Sequence, residues 1–129
     1  MALLPIHLQK GHVYRQRKEL SLSAVLVYMT AGSVDEAKAI GASLIKRRLA
    51  ACVNILPGMI SQYHWKEAVA TEEETVLIAK TESDLADALT SHVRDVHSYE
   101  CPCVITLSIT DGNPDFLKWV ADETVKAAS

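Results

Sequence analysis

The chain has 129 residues, is 49% hydrophobic and carries a net charge of −3. That is the length of one domain with enough apolar residues for a single core, and no stretch approaches the roughly 18 apolar residues that a membrane helix needs. The charge is uneven. Residues 1–23 hold four Lys or Arg and one acid, residues 24–129 nine against fifteen, and so acidic a body repels phosphate backbones and argues against nucleic acid as a partner.

Three cysteines are too few and too sparse for a disulfide framework, which points to a reducing compartment and a cytoplasmic location. Met1–Leu22 contains Pro5, Lys10, Arg15 and Lys18 and no apolar centre, so it does not read as a signal peptide. Residues 1–23 show neither helical nor strand periodicity. They read as a flexible N-terminal extension, with a basic docking arm as the alternative, and residues 24–129 as the folded domain.

The first strand is Ala24 to Thr30, AVLVYMT, rich in β-branched and aromatic residues. Ser33 and Glu36 have capping-box spacing at the start of a helix that places Ala37, Ile40, Leu44 and Ile45 on one face. Lys46, Arg47 and Arg48 fall in its last turn, where positive charge suits the helix dipole. Arg47 to Lys66 then runs as two strand-like halves broken by Pro57-Gly58: one long bent strand, or two strands joined by a tight turn. In the second half Ser61, Tyr63 and Trp65 share a face. A strand this long outreaches a small domain, so its far half is expected to pair with another chain. Glu67 to Glu74 reads as a polar connection and Thr75 to Lys80 as the next strand. Ser83 or Thr81 caps a second helix with Leu85, Ala88, Leu89, Val93 and Val96 on one face. Pro102 excludes helix at Cys101 and opens a strand from Cys103 to Thr110. Asp111-Gly112 makes a turn, and Asn113 with Pro114 starts a short last helix. The order β-α-β-β-α-β plus a terminal helix predicts an α+β, ferredoxin-like antiparallel sheet with two helices on one face.

Four segments in order carry a resemblance: RLAACVNILPGMISQYHW, then Lys80-Thr81, then His97-Ser98-Tyr99-Glu100-Cys101-Pro102, then Gly112 to Trp119. Together they resemble the CutA divalent-cation tolerance family over about residues 24–126. The resemblance implies a homotrimer whose long bent strands pair between subunits, binding of divalent metal, copper especially, and a link to metal tolerance. It implies no enzymatic activity. The architecture is similar to that of the trimeric PII signalling proteins, which gives the alternative: a signalling or interaction protein with a metabolite or protein partner in its intersubunit clefts. Three positions depart from the family pattern. Met29 stands where a Cys is frequent, Cys103 where Glu is usual, and Lys66-Glu67-Ala68 lacks the usual Gly after the Trp.

His97 matches the family's His and is the first metal candidate, since neutral imidazole is a common copper ligand; a helix-end His against the last carbonyls is the plain alternative. Cys101 and Cys103 lie two apart in an extended segment, so both sulfurs can face one ion; as small packing residues they would need no such role. Met29 adds a thioether. Tyr63, Trp65, Lys80, Tyr99 and Glu100 form a second group, lining an intersubunit cleft with a Lys–Glu pair or packing the trimer seam. Cys52 reads as a buried core thiol, and His64 and His92 as surface residues, as do His7 and His12. No nucleophile–base spacing of a known hydrolase or metalloprotease occurs, and the chain reads as a non-enzyme.

Overall fold

The computed structural model describes residues 23–125. The proposed N-terminal extension lies outside the described residues except for Ser23. The elements are β1 (Ala24–Ala31), α1 (Val34–Lys46), β2 (Cys52–Trp65), β3 (Ala68–Glu82), a 3-10 turn (Ser83–Leu85), α2 (Ala86–Val96), β4 (Val104–Ser108) and α3 (Pro114–Asp122). The sheet order is β2-β3-β1-β4 with every pair antiparallel, the ferredoxin-like arrangement read from the element order. Among the described residues no helix is long and apolar enough to cross a membrane.

Alternation in β1 sends Val25, Val27, Met29 and Ala31 to one face of the sheet, where they meet Leu77 and Ala79 of β3. Ala37, Ile40 and Leu44 of α1 and Leu89 and Val93 of α2 close over them and complete the core. Gly41 lets α1 come close to β2, because a Cβ there would meet a methyl of Val53 at 3.4 Å. The opposite face carries Leu26, Tyr28, Leu56, Ile78, Ile105 and Leu107 by the same alternation. Among the described helices only α3 reaches that side, with the Phe116 ring 6.0 Å from Lys80 Nζ, and Leu56, Ile105 and Leu107 remain about half exposed.

α1 starts as its spacing predicts, with the Ser33 hydroxyl accepting from the Glu36 N–H at 3.1 Å. It ends in a Schellman motif: Arg48 N–H donates to Ile45 O and Leu49 N–H to Leu44 O. Arg48 holds the left-handed position (φ 55°) usually given to Gly and spends its side chain on Glu123 at 3.0 Å. α3 begins on Asn113, whose side chain caps Asp115 N–H, with Pro114 in the first turn. Neither Thr81 nor Ser83 caps α2; a 3-10 turn leads into it and no side-chain cap forms. Thr81 is instead buried and donates its hydroxyl to Leu49 O at 2.7 Å, tying β3 to the segment after α1.

The long middle segment is one bent strand. A bulge between Leu56 and Met59 absorbs Pro57 and Gly58, the latter at φ +82°. One expectation needs correction here, that of residues 68–74 as a connection. The far half of β2, Met59 to Trp65, pairs with β3 of its own chain, from Met59↔Glu74 to Trp65↔Ala68. Residues 68–74, read as a polar connection, are therefore strand. They are polar because, among the described residues, no helix covers the hairpin beyond β1, whose pairing with β3 stops at Ala31↔Thr75. The turn at the tip is Lys66-Glu67, both left-handed (φ 49° and 68°), the two-residue hairpin geometry in which Gly or Asn normally sits.

Candidate functional site

The loop from His97 to Cys103 joins α2 to β4 and carries most of the predicted metal candidates. Its anchor is the buried His97 ring. Nε2 lies 2.8 Å from Thr30 O, which can only accept, so Nε2 carries the proton. Nδ1 then holds the lone pair and accepts the Tyr99 N–H at 3.0 Å. Both nitrogens are engaged, one by Thr30 O and the other by the Tyr99 N–H. His97 is a structural imidazole that joins the end of α2 to β1 and turns the chain into the loop.

Glu36 completes the anchor. Its carboxylate accepts the Ser98 N–H at 2.8 Å and the Gly32 N–H at 3.3 Å and lies 3.8 Å from His97 Nδ1. Burial pushes this carboxyl up, but the hydrogen bonds from Ser98 and Gly32 and the nearby imidazole hold it, on balance, below the ordinary 4.5. Tyr99 then crosses to β3, where its hydroxyl donates to Glu74 Oε2 at 2.9 Å. Burial, then the Glu74 carboxylate, push the phenol up to about 12. The ring stands 4.7 Å from the His97 ring. Gly32 makes room for it, since a Cβ there would meet the Tyr99 hydroxyl at 3.1 Å.

Beyond this anchor Cys101 is exposed and Cys103 half-buried, both free thiols. Burial raises Cys103 above the ordinary thiol value, and the negative charge of Glu74 raises it further. Met29 is not part of the loop: it is 1% exposed in the helix-covered core. Among the described residues no three His, Cys, Asp or Glu side chains lie close enough to share an ion. The structure thus keeps Cys101 and Cys103 on one loop and separates them in role from His97 and Met29.

The second predicted group is dispersed. Lys80 pairs with Asn54 Oδ1 at 2.5 Å on the open sheet face, not with Glu100, which is exposed on the loop. Lys80 also bears on its cross-strand neighbour Cys52, whose thiol is raised by burial and partly drawn back down by the ammonium. Cys52 is half-buried, not a core thiol. Tyr63 lies on the far hairpin, where a hydrogen bond with Glu72 raises its phenol. Trp65 is 60% exposed at the tip with Lys66 Nζ 5.8 Å from its ring. Tyr99 serves the loop anchor.

Three residues of the architecture were not found by sequence reasoning. Glu74 was read only as the end of the polar connection that starts at Glu67. Met59 accepts a hydrogen bond from Tyr28 Oη through its sulfur at 3.3 Å. His92, read as a lone surface residue, has Nε2 2.9 Å from Ser43 Oγ and links α2 to α1. Burial and then Arg47 lower its imidazole, against a smaller upward pull from Asp95.

Fold and site together define a ferredoxin-like α+β protein with one sheet face left open by its helices and a two-cysteine loop pinned to a buried histidine. The chain belongs to the family described as CutA1 divalent ion tolerance protein, whose model matches residues 25–123. Protein CutA homolog of Xenopus laevis is 47% identical over 102 residues, 79% of this chain and 66% of that protein. Protein CutA 1, chloroplastic, of Oryza sativa is 42% identical over 104 residues, 81% of this chain and 59% of that protein. The matched stretch is thus less than two thirds of either of these relatives. It spans 96% of the divalent-cation tolerance protein CutA of Thermus thermophilus, at 36% identity over 77% of this chain. Among solved structures, CutA1 from Oryza sativa superposes with a TM-score of 0.81 at 42% identity, covering 82% of this chain and 97% of that one.

Proposed function

We propose that this chain is a non-enzymatic, homotrimeric, cytoplasmic protein that binds copper or a similar cation and acts in metal tolerance. The observation that carries the metal reading is the match to the divalent ion tolerance family across nearly all of the folded chain. The trimer rests on the open sheet face. An apolar sheet face is buried against another element, and here Leu56, Ile105 and Leu107 lie about half exposed beside Leu26, Tyr28 and Ile78. The outer edge of β2 adds a row of unpaired backbone groups along the sheet's margin. A second copy supplies apolar surface to the first and a partner to the second. The ion is cargo in this reading, held by donors that each subunit presents to solvent and not by His97 or Met29. The test is copper titration by calorimetry on protein whose mass is fixed by light scattering. Saturable binding by a particle of three chains is expected. A protein that binds no copper ion in either oxidation state would remove the metal reading, and a single-chain mass at micromolar concentration would remove the trimer.

A further inference from the structure

We propose that Lys80 anchors an anion site on the open face of the sheet, suited to a small organic monocarboxylate. The site is separate from any metal and is made of different residues.

Strand register places it. Lys80 of β3 lies opposite Cys52 of β2 on one side and Leu26 of β1 on the other, and Leu107 of β4 lies opposite Leu26. Paired residues share a face, so all four side chains stand on the side turned away from α1 and α2. Asn54, two residues beyond Cys52, stands there too. α3 leans over the same row, with the Phe116 ring 6.0 Å from Lys80 Nζ.

The ammonium is the unexplained group. Lys80 is half-buried, yet among the described residues no carboxylate lies within ion-pair distance of it. The ion pairs are Arg48 with Glu123, Lys118 with Asp122 and His97 with Glu36. Lys80 Nζ instead donates to Asn54 Oδ1 at 2.5 Å. A neutral amide and an aromatic ring orient the positive charge without neutralising it. A charge partly withdrawn from water and left unpaired is destabilising. The penalty grows if a second copy covers this face, as proposed above.

The polar groups that remain are donors. An ammonium carries three N–H bonds and no lone pair, and one of the three is taken by Asn54. Because Asn54 Oδ1 accepts that bond, its Nδ2 presents N–H groups beside the ammonium. Cys52 adds a weak S–H donor. Burial raises this thiol, and the neighbouring ammonium offsets part of the rise. Donors without acceptors select an anion. One positive charge with N–H groups on two adjacent side chains matches a carboxylate, whose two oxygens accept from Lys80 and Asn54 together. Leu26, Leu107 and Phe116 flank the ammonium and favour an apolar body behind the carboxylate over a bare inorganic ion.

The experiment uses the full chain, passed over a chelating resin so that no bound cation recruits the anion. The probe is benzoate, titrated by calorimetry, with benzamide as the uncharged isostere and inorganic phosphate as the anion without an apolar body. The wild type is expected to bind one benzoate per chain, and to bind benzamide and phosphate more weakly. Lys80→Met keeps the apolar stem and removes the charge, and should weaken benzoate binding about tenfold or more. Asn54→Asp leaves Lys80 in place and gives the ammonium a carboxylate of its own, so it should lose benzoate to the same extent while its circular dichroism is unchanged. This second variant decides the matter even if Lys80→Met fails to fold. A wild type that binds no benzoate would overturn the site, as would either variant binding it as tightly as the wild type. Benzamide binding as tightly as benzoate would remove the anion, and phosphate binding more tightly would remove the carboxylate.

Discussion

Glu36 shows how much one side chain can settle. Its spacing from Ser33 marks a helix start from sequence alone, and the Ser33 half of that cap forms. The carboxylate goes elsewhere, to the N–H groups of Gly32 and Ser98 and toward His97. Ser98 lies 62 residues away along the chain, which is why no local spacing rule points to it. A depressed carboxyl adds stability that is present above its unfolded value and is lost as pH falls through the folded one. We therefore expect Glu36→Gln to be less stable than wild type at pH 6, with the gap closing as pH drops below about 4.5. Urea midpoints across that range measure it; a gap independent of pH would mean the carboxylate's charge is irrelevant. His97 carries the same lesson. Residue type and family resemblance both pointed to a ligand, and only the positions of Thr30 O and Tyr99 N show that its ring is already occupied. Tyr99→Phe should cost about 0.5–1.5 kcal/mol by losing its bond to Glu74. It should also remove one phenol from the part of an ultraviolet pH titration near 12.

At the scale of elements, the hairpin of β2 and β3 holds the most strain. Gly58 sits at φ +82° at the bulge, and a Cβ there would meet nothing nearer than Glu73 Oε1 at 3.8 Å. The cost of Gly58→Ala is then conformational only, about 1–2 kcal/mol, and Gly58→Asn should cost less. The tip has the opposite problem. Lys66 and Glu67 occupy left-handed positions without a Gly or Asn between them, so the departure from the family's W-x-G has a physical cost. We expect Glu67→Gly to raise the unfolding free energy by about 1 kcal/mol, read as a higher denaturant midpoint with an unchanged slope; a lower midpoint would contradict it. The same hairpin explains a misreading. Residues 68–74 look like a loop because the strand has no covered face, and hydropathy alternation reports burial, not backbone pairing.

For the molecule as a whole, the two faces of the sheet are the governing fact. One is sealed by α1 and α2, with Leu44, Leu89 and Val93 fully buried. Leu89→Ala there should cost about 2–5 kcal/mol. The other face presents Ile105 and Leu107 to solvent in a single chain. Ile105→Glu should split the proposed trimer into single chains by light scattering while leaving the circular dichroism of the subunit intact. If the variant keeps the wild-type mass, this face is not the seam.

By itself the sequence determined the element order, the ferredoxin-like class, the Ser33 and Asn113 helix starts and most of the apolar face of each long helix, although Ile45 and Val96, placed on those faces, are exposed. All of these follow from local spacing and capping, which act within a few residues of one another. The tertiary structure alone decided which groups meet across the fold: Glu36 with Ser98, Tyr99 with Glu74, Lys80 with Asn54, His92 with Ser43. It also decided that His97 is buried against Thr30 and Met29 lies in the core, while Cys101 is exposed and Cys103 half-buried, both free thiols. Hydrogen bonding is a property of atoms brought within about 3 Å, and only the folded chain says which atoms those are.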